Sequence, residues 1–188
     1  MDSEPNPTIL DGSIRKDRRS QEMLYRQFHG YGMSISLRYT STREEAVEVL
    51  NDGFVKVFDN LQQFDREKPF KSWFRRILIN TAINHTKKYG KFKNETDLEH
   101  LTELTENGSN VLDDLSYQDT IKLIQSLSPA YRTIFNLYVI EGYSHDEIAE
   151  TLQISVGASK SGLSRARENL RNLIKKNHEE EVGQLNKQ

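Results

Sequence analysis

The stretch "SHDEIAETLQISVGASKSGLSRARENL", Ser144 to Leu170, decides the fold. Ser144 with Glu147 three residues later has the spacing of a reciprocal helix cap, so a short helix begins at "HDEIAETL". "QIS" makes a tight turn, and Ser155 is placed to cap the next helix. From there the apolar residues Leu163, Ala166, Leu170, Leu173 and Ile174 fall within one narrow helical arc, predicting a longer helix to about Lys176. The arc is maintained through Gly162, which reads as the margin of the outward face and costs about 1 kcal/mol of helix stability relative to Ala. A short helix, a tight turn and a longer amphipathic helix make a helix-turn-helix.

The outward face of the second helix carries Ser161, Ser164, Arg165 and Glu168, with Lys160 and Arg171 at one edge and Arg167 beyond. Its start is small: Gly157, Ala158, Ser159. Small residues let a helix N-terminus approach a phosphate, where backbone N–H groups favour an anion. The long cations follow one to three turns later, in reach of phosphates and groove edges. The plainer alternative is a helical hairpin with a solvated face. Spacing, caps and charge together favour DNA binding.

Working back from that motif, Ser128 then Pro129 is an N-cap followed by proline at the first helical position. That helix runs to about Ile140 and meets a glycine stop at Gly142. A short helix precedes it, from Asp119 to Leu127. Residues 91–118 are acidic, with Gly and Asn breaks and weak periodicity, and read as a flexible linker. Upstream, a helical pattern covers Arg18 to Tyr39 with Leu24, Phe28, Tyr31 and Ile35 in register. Thr42 with Glu45 caps a second helix, whose inward stripe is Ala46, Leu50, Phe54, Val57, Phe58 and Leu61. After the charged connection "FDREKP", a third helix from Phe70 to about Tyr89 turns Phe70, Trp73, Phe74, Ile77 and Leu78 inward. The expected fold is all-α: two small helical domains joined by an acidic flexible linker, the C-terminal one a helix-turn-helix. The boundaries are a flexible tail at 1–17, a helical domain at 18–90, the linker at 91–118, the helix-turn-helix domain at 119–176 and a C-terminal tail at 177–188.

Composition fits two small units better than one large core. Of 188 residues, 35% are hydrophobic and 29% charged. With no cysteine, disulfides and thiolate metal sites are excluded. The acidic N-terminus lacks an apolar run, and no segment has the length of a membrane span, so the expected location is the cytoplasm. The net charge of −2 conceals a segregation. Residues 68–93 hold eight Lys or Arg and no acid; residues 94–119 hold eight acids and no Lys or Arg; residues 153–176 hold six cations against one acid. Two basic blocks around an acidic middle point to polyanion-facing surfaces. His29, His85, His100, His145 and His178 are scattered, His145 on the surface, and no metal, nucleophile or phosphate-loop motif occurs. Neither an enzyme nor a cofactor is expected.

The first basic block, "KPFKSWFRRILINTAINHTKK", alternates aromatics with cations: Phe70, Lys71, Trp73, Phe74, Arg75, Arg76, then Lys87 and Lys88. Aromatics beside cations can stack unpaired bases while the cations hold the backbone. Trp73 and Phe74 nevertheless read as core. Asn80 and Asn84, one turn apart, offer donors and acceptors to a base edge, with Asn80 evenly balanced between that role and a structural one. Glu45, Glu48 and Asp52 align one turn apart. From the residues alone, a solvated acidic face is the stronger reading of them.

Both modules, in this order, resemble the extracytoplasmic-function (ECF) sigma factors, a group within the sigma-70 family of bacterial RNA polymerase sigma factors. "REEAVEVLNDGFVKVFDNLQQFDREKPFKSWFRRILINTAINHTKK" is similar to their first conserved domain and "LSPAYRTIFNLYVIEGYSHDEIAETLQISVGASKSGLSRARENL" to their second. The resemblance implies a protein that binds core polymerase, directs it to promoters and assists strand opening, with no chemistry of its own. It implies docking of the polymerase β′ clamp coiled coil through Glu48, Asn51, Asp52 and Val55. It implies capture of the non-template −10 strand by Phe64, Arg66, Lys68, Lys71, Arg75, Arg76, Asn80, Asn84, Lys87 and Lys88, with a flipped base held by the "FDREKP" loop and Asn80. It implies reading of the −35 duplex by Gly157, Ala158, Lys160, Ser161, Ser164, Arg165 and Arg167, beside a contact to the β flap. An anti-sigma factor is a further implied partner.

The sequence departs from the family's usual pattern in places. The run usually written "GTVKSR" is "GASKSG": Ala158 replaces a hydroxyl residue, and Gly162 replaces a longer side chain. Asn51 and Gly53 stand where Gln and Thr or another side chain are commoner. The alternative functions are a helix-turn-helix DNA-binding transcription regulator acting without polymerase docking, and a scaffold of helical hairpins. The basic aromatic block argues against the first, because a duplex-only regulator needs no single-strand surface. The charge segregation argues against the second.

Overall fold

The computed structural model describes residues 4–88 and 115–185. All its regular elements are helical, and the chain divides into two compact units, Met1–Gly90 and Lys91–Gln188.

Among its described residues the first unit contains α1 (Pro7–Ile14), α2 (Arg18–Tyr39), α3 (Arg43–Asn60) and α4 (Phe70–Lys88), with a 3₁₀ turn at Leu61–Gln63. Short capping side chains set the starts. Asn6 accepts the Thr8 N–H ahead of Pro7, and Asp17 accepts the Ser20 N–H at 2.8 Å. Thr42 accepts the Glu45 N–H at 3.2 Å, while the Glu45 carboxylate reaches the Ser41 N–H at 2.9 Å, one residue ahead of the cap. The core joins Leu24, Phe28 and Ile35 of α2 to Ala46, Leu50, Phe54 and Val57 of α3 and to Phe70, Phe74 and Leu78 of α4, all buried. Aromatic rings fill its centre, with Phe28 and Phe70 centroids 4.7 Å apart and Phe54 and Phe74 4.9 Å apart. Gly53, unusual beside the family pattern, lies where a Cβ would come within 2.4 Å of Leu78 Cδ2, so the buried Leu78 side chain of α4 fills the space a side chain on α3 would need.

Residues 1–17, expected as a flexible tail, instead contain α1. Leu10 is buried and Ile9 and Ile14 are half-buried, so a weakly apolar segment gains its stability by packing on α2. Tyr31 and Ile77, expected inward, are only half-buried.

The second unit contains α5 (Leu115–Gln125), α6 (Pro129–Phe135), α7 (His145–Leu152) and α8 (Val156–Leu185). The linker expected at 91–118 lies outside the described residues as far as residue 114, and α5 begins four residues before the expected Asp119. Ser128 caps α6 ahead of Pro129. Arg132, 2% exposed, turns back on the end of α5. Its Nε donates to the Ile124 carbonyl at 3.2 Å, and Nη2 donates to the carbonyls of Leu127, at 2.8 Å, and Gln125. A buried cation thus satisfies carbonyls that a helix end leaves open. The chain stays helical from Asn136 to Ile140 but widens into a π turn, then stops at Gly142, whose φ is +78°. Both halves of the Ser144–Glu147 capping box are formed. Leu127, Tyr131 and Ala166 make a small core with Phe135 and Leu170 packed against it. α8 continues to Leu185, past the expected end at Lys176 and into the expected tail. Ile174, assigned to the inward arc, is 53% exposed, because the helix has by then outrun the residues it packs against.

Candidate nucleic-acid interface

α7 and α8 meet as a helix-turn-helix. Gln153 takes the left-handed conformation (φ 60°) to end α7, and Ser155 Oγ accepts the Ala158 N–H at 3.0 Å to begin α8. Lys160, Ser161, Ser164, Arg165, Arg167, Glu168 and Arg171 are all exposed, as the amphipathic reading required. Gly157 is exposed and Ala158 half-buried. With the Ala158 N–H occupied by the cap, the N–H groups of Val156 and Gly157 have no partner among the described residues and are open donors at the start of the helix.

Gly162 is not at the margin of the outward face. It is buried, and a Cβ there would lie 2.6 Å from Ile134 Cδ1. The glycine lets α8 press on α6, so its helix-propensity cost is offset by close packing. The signal was available: Gly162 precedes Ala166 by four residues and therefore shares its face.

Three contributors had no local signal. Ser159, fully buried on α8, has its Oγ 2.9 Å from Nδ1 of His145 on α7. His145, expected on the surface, is half-buried and stacks on Tyr138 at 4.6 Å and 26°. The Arg167 guanidinium sits 5.7 Å from the other partner of that stack, the Tyr138 ring. The chain joins these residues only once the two helices have docked. Burial raises the pKa of the Tyr131 phenol above its usual 10.0, and the charge of Arg165 opposes the shift.

In the first unit, α4 presents Arg76, Asn80, Asn84 and Lys88 in one exposed stripe at four-residue spacing. Phe70 and Phe74 are fully buried, and Trp73 is half-buried. Trp73 pairs with Phe64 at 5.0 Å, and Phe64 meets Phe70 edge-on at 5.5 Å. Phe64 thus fixes the start of the 64–69 loop against α4. Arg66 is paired with Asp11 of α1, Lys68 with Asp65 at 3.4 Å, and Lys71 lies 5.0 Å from the Tyr31 ring centroid. Arg75 and Lys87 are half-buried and, like Lys88, carry partners within the protein. Of the expected strand-binding residues, Arg76, Asn80 and Asn84 are exposed and, among the described residues, have no side-chain hydrogen bond or ion pair. Glu4 accepts the Phe70 N–H at 2.9 Å, and an open cleft lies between residues 4–10 and the loop, lined also by Gln27 and Phe64.

Glu48, Asn51, Asp52 and Val55 share one exposed face of α3, and Val55 is 58% exposed. Two are lightly tethered from neighbouring helices: Glu48 Oε2 lies 3.3 Å from His85 Nε2, and Asn51 Oδ1 accepts from the Tyr25 hydroxyl at 3.2 Å. Among the described residues there is no group of three or more metal-ligating side chains, and no helix is long and apolar enough to cross a membrane.

Residues 24–92 match the family model described as Sigma-70 region 2, and residues 117–170 the model described as Sigma-70, region 4. Together the two spans take in well over half of the chain. The RNA polymerase sigma-H factor of Pseudomonas aeruginosa is 27% identical over 179 residues, covering 89% of this chain and 93% of its own length. The ECF RNA polymerase sigma-E factor of Escherichia coli K12 is 24% identical over 186 residues, covering 93% of this chain and 97% of its own. The solved structure of the sigma factor RpoE in complex with the anti-sigma factor NepR from Bartonella quintana shares the fold, with a TM-score of 0.50 at 22% identity over 82% of this chain and 96% of that one.

Proposed function

We propose that this chain, which belongs to the ECF group of the sigma-70 family of RNA polymerase sigma factors, acts in the cytoplasm by binding core polymerase, selecting promoters through −10 and −35 elements and assisting strand opening. The observation that carries the reading is the pairing, in one chain and in family order, of an aromatic-flanked basic stripe with a helix-turn-helix whose cations face outward. The chain contributes recognition and no bond-making step; the polymerase holds the active site.

Each surface has a physical task. The exposed α3 face, with two carboxylates beside Val55, suits a basic helical partner, and we assign it to the β′ clamp coiled coil. Arg76 and Lys88 hold the backbone of a single strand along α4, while Asn80 and Asn84 offer amides to a base edge. Extruding a base costs a few kcal/mol, which contacts in the pocket must offset; that pocket is assigned to the 64–69 loop and Asn80. Lys160, Ser161, Ser164 and Arg165 read the −35 duplex, with the Val156 and Gly157 N–H groups on a phosphate. Arg167, aligned by Tyr138, adds a backbone contact. The second unit also faces the β flap, and an anti-sigma factor competes for these surfaces.

Co-elution with purified core polymerase tests the docking assignment. Wild-type chain is expected to form a stable complex, and Glu48→Arg with Asp52→Arg to weaken it about tenfold or more through charge reversal. An unaffected double variant would place docking elsewhere, and a wild-type chain that does not bind core would remove the sigma reading altogether.

A further inference from the structure

The first unit carries a basic feature that neither the α4 stripe nor the α3 face uses. Where α1 turns into α2 the sequence reads "RKDRR", residues 15–19, and Arg15, Lys16, Arg18 and Arg19 are all exposed. Among the described residues, none of these four side chains forms a hydrogen bond or ion pair. Elsewhere in the unit cations are commonly satisfied, as Arg26 is by Glu22 and Arg66 by Asp11. The one anion inside the cluster, Asp17, mainly serves the helix cap and is also drawn to the neighbouring charge of Arg19, which leaves the cluster with a net charge of +3. Its carboxylate accepts the Ser20 N–H at 2.8 Å and the Ser20 O–H at 2.6 Å, capping α2.

The turn is also held rigidly. Lys16 sits in the left-handed region at φ 62°, its N–H donates to the Ser13 carbonyl at 3.0 Å, and the Asp17 N–H donates to the Gly12 carbonyl at 2.9 Å. Gly12 lies so close to α2 that a Cβ would fall 2.0 Å from Ser20 Oγ. Four cations therefore stand within five residues around a single carboxylate, on a backbone turn that is already ordered, an arrangement that attracts a polyanion without refolding of the main chain.

Position selects which polyanion. Asp11 of α1 grips Arg66 in the 64–69 loop, and Arg15 follows Asp11 by one helical turn, about 6 Å along the axis. The cluster thus begins about one helical turn of α1 away from the residue that holds the loop. We infer that the 15–19 turn is a second phosphate-binding site, which grips the backbone of the non-template strand immediately beyond the −10 segment. The inference rests on the strand-binding role proposed above for the 64–88 surface and extends its track around the edge of the unit.

The test uses holoenzyme reconstituted with core polymerase and fluorescent non-template oligonucleotides. One is confined to the −10 element; two others extend it by about five nucleotides, upstream or downstream. Replacing all four cations with Gln is expected to weaken one extended oligonucleotide about tenfold while sparing the short one. Its logarithmic salt slope is expected to shrink by about 0.7 for each phosphate no longer held. Arg15→Lys, Arg18→Lys and Arg19→Lys together are expected to bind like wild type. Equal losses on short and extended strands, no loss on either extended strand, or a loss confined to core binding would each overturn the site. If wild type does not hold the short oligonucleotide, the −10 reading fails first and the extension with it.

Discussion

Gly162→Ala separates a surface glycine from a packing glycine by the sign of its effect. On an exposed helix face the change stabilises by about 1 kcal/mol, because Ala loses less backbone entropy. In this structure the new Cβ meets Ile134 Cδ1 at 2.6 Å, and Ile134 is 4% exposed. Overfilling a packed site costs about 1–3 kcal/mol, so the net change is a loss of about 0–2 kcal/mol. Ile134→Val removes the clashing carbon and alone costs about 0.5–1.5 kcal/mol. The next atoms, Tyr131 Cδ1 at 3.7 Å and Ile134 Cγ1 at 3.9 Å, are in ordinary contact range. In the Ile134→Val background, Gly162→Ala is therefore expected to stabilise, giving a favourable coupling of about 1–3 kcal/mol in the double-mutant cycle. Native-state hydrogen exchange of α6 and α8 amides reads this unit separately, where whole-chain melting would blend two units. A gain of about 1 kcal/mol from Gly162→Ala in the wild-type background, with no coupling, would refute the close packing of α8 on α6.

Three further outcomes rest on individual contacts. Arg132→Met removes a buried donor shared by the carbonyls at the end of α5, and is expected to cost about 2–4 kcal/mol; exchange in α5 should accelerate more than in α7, and unchanged α5 protection would contradict the capping role. Asn80→Ala in holoenzyme is expected to lose discrimination at one −10 base by about 1–3 kcal/mol while overall affinity changes less; an even loss across all −10 variants would make Asn80 a structural residue. The Glu147 carboxylate accepts from the Ser144 backbone N–H and side-chain O–H, which lowers its pKa from the usual 4.5. Because the folded value is the lower one, its stabilisation is present above pH 4.5 and is lost as pH falls through the depressed value. Amide protection of α7 should fall over that window in wild type and stay flatter in Glu147→Gln; identical profiles would remove the carboxylate from the cap.

The elements that could be read from sequence were those specified by neighbours along the chain. Ser128 with Pro129, Ser144 with Glu147, and Thr42 with Glu45 each set a helix start through a side chain reaching its own backbone. The first helix, α1, escapes a sequence reading because what holds it is tertiary: Leu10 is buried, Gly12 packs on Ser20 of α2 and Asp11 pairs with Arg66, none of which shows in a short, weakly apolar segment interrupted by Gly12. The outward residues of α8 were legible from polarity. Gly162 was misplaced because a glycine has no polarity to read, and only its four-residue distance from Ala166 reveals its face. The His145–Ser159 contact and the Tyr138–Arg167 contact span turns between helices, so no local pattern announces them. The cations at 15–19 are plain in the sequence, but that their side chains form no hydrogen bond or ion pair among the described residues is a property of the fold.

Promoter-dependent run-off transcription with purified core polymerase tests the central claim most directly. Adding this chain is expected to produce initiation at a subset of promoters that core alone ignores, with start sites set by paired −10 and −35 elements. Transcription no different from core alone, across a genomic promoter pool and with the chain in excess, would contradict its function as a sigma factor.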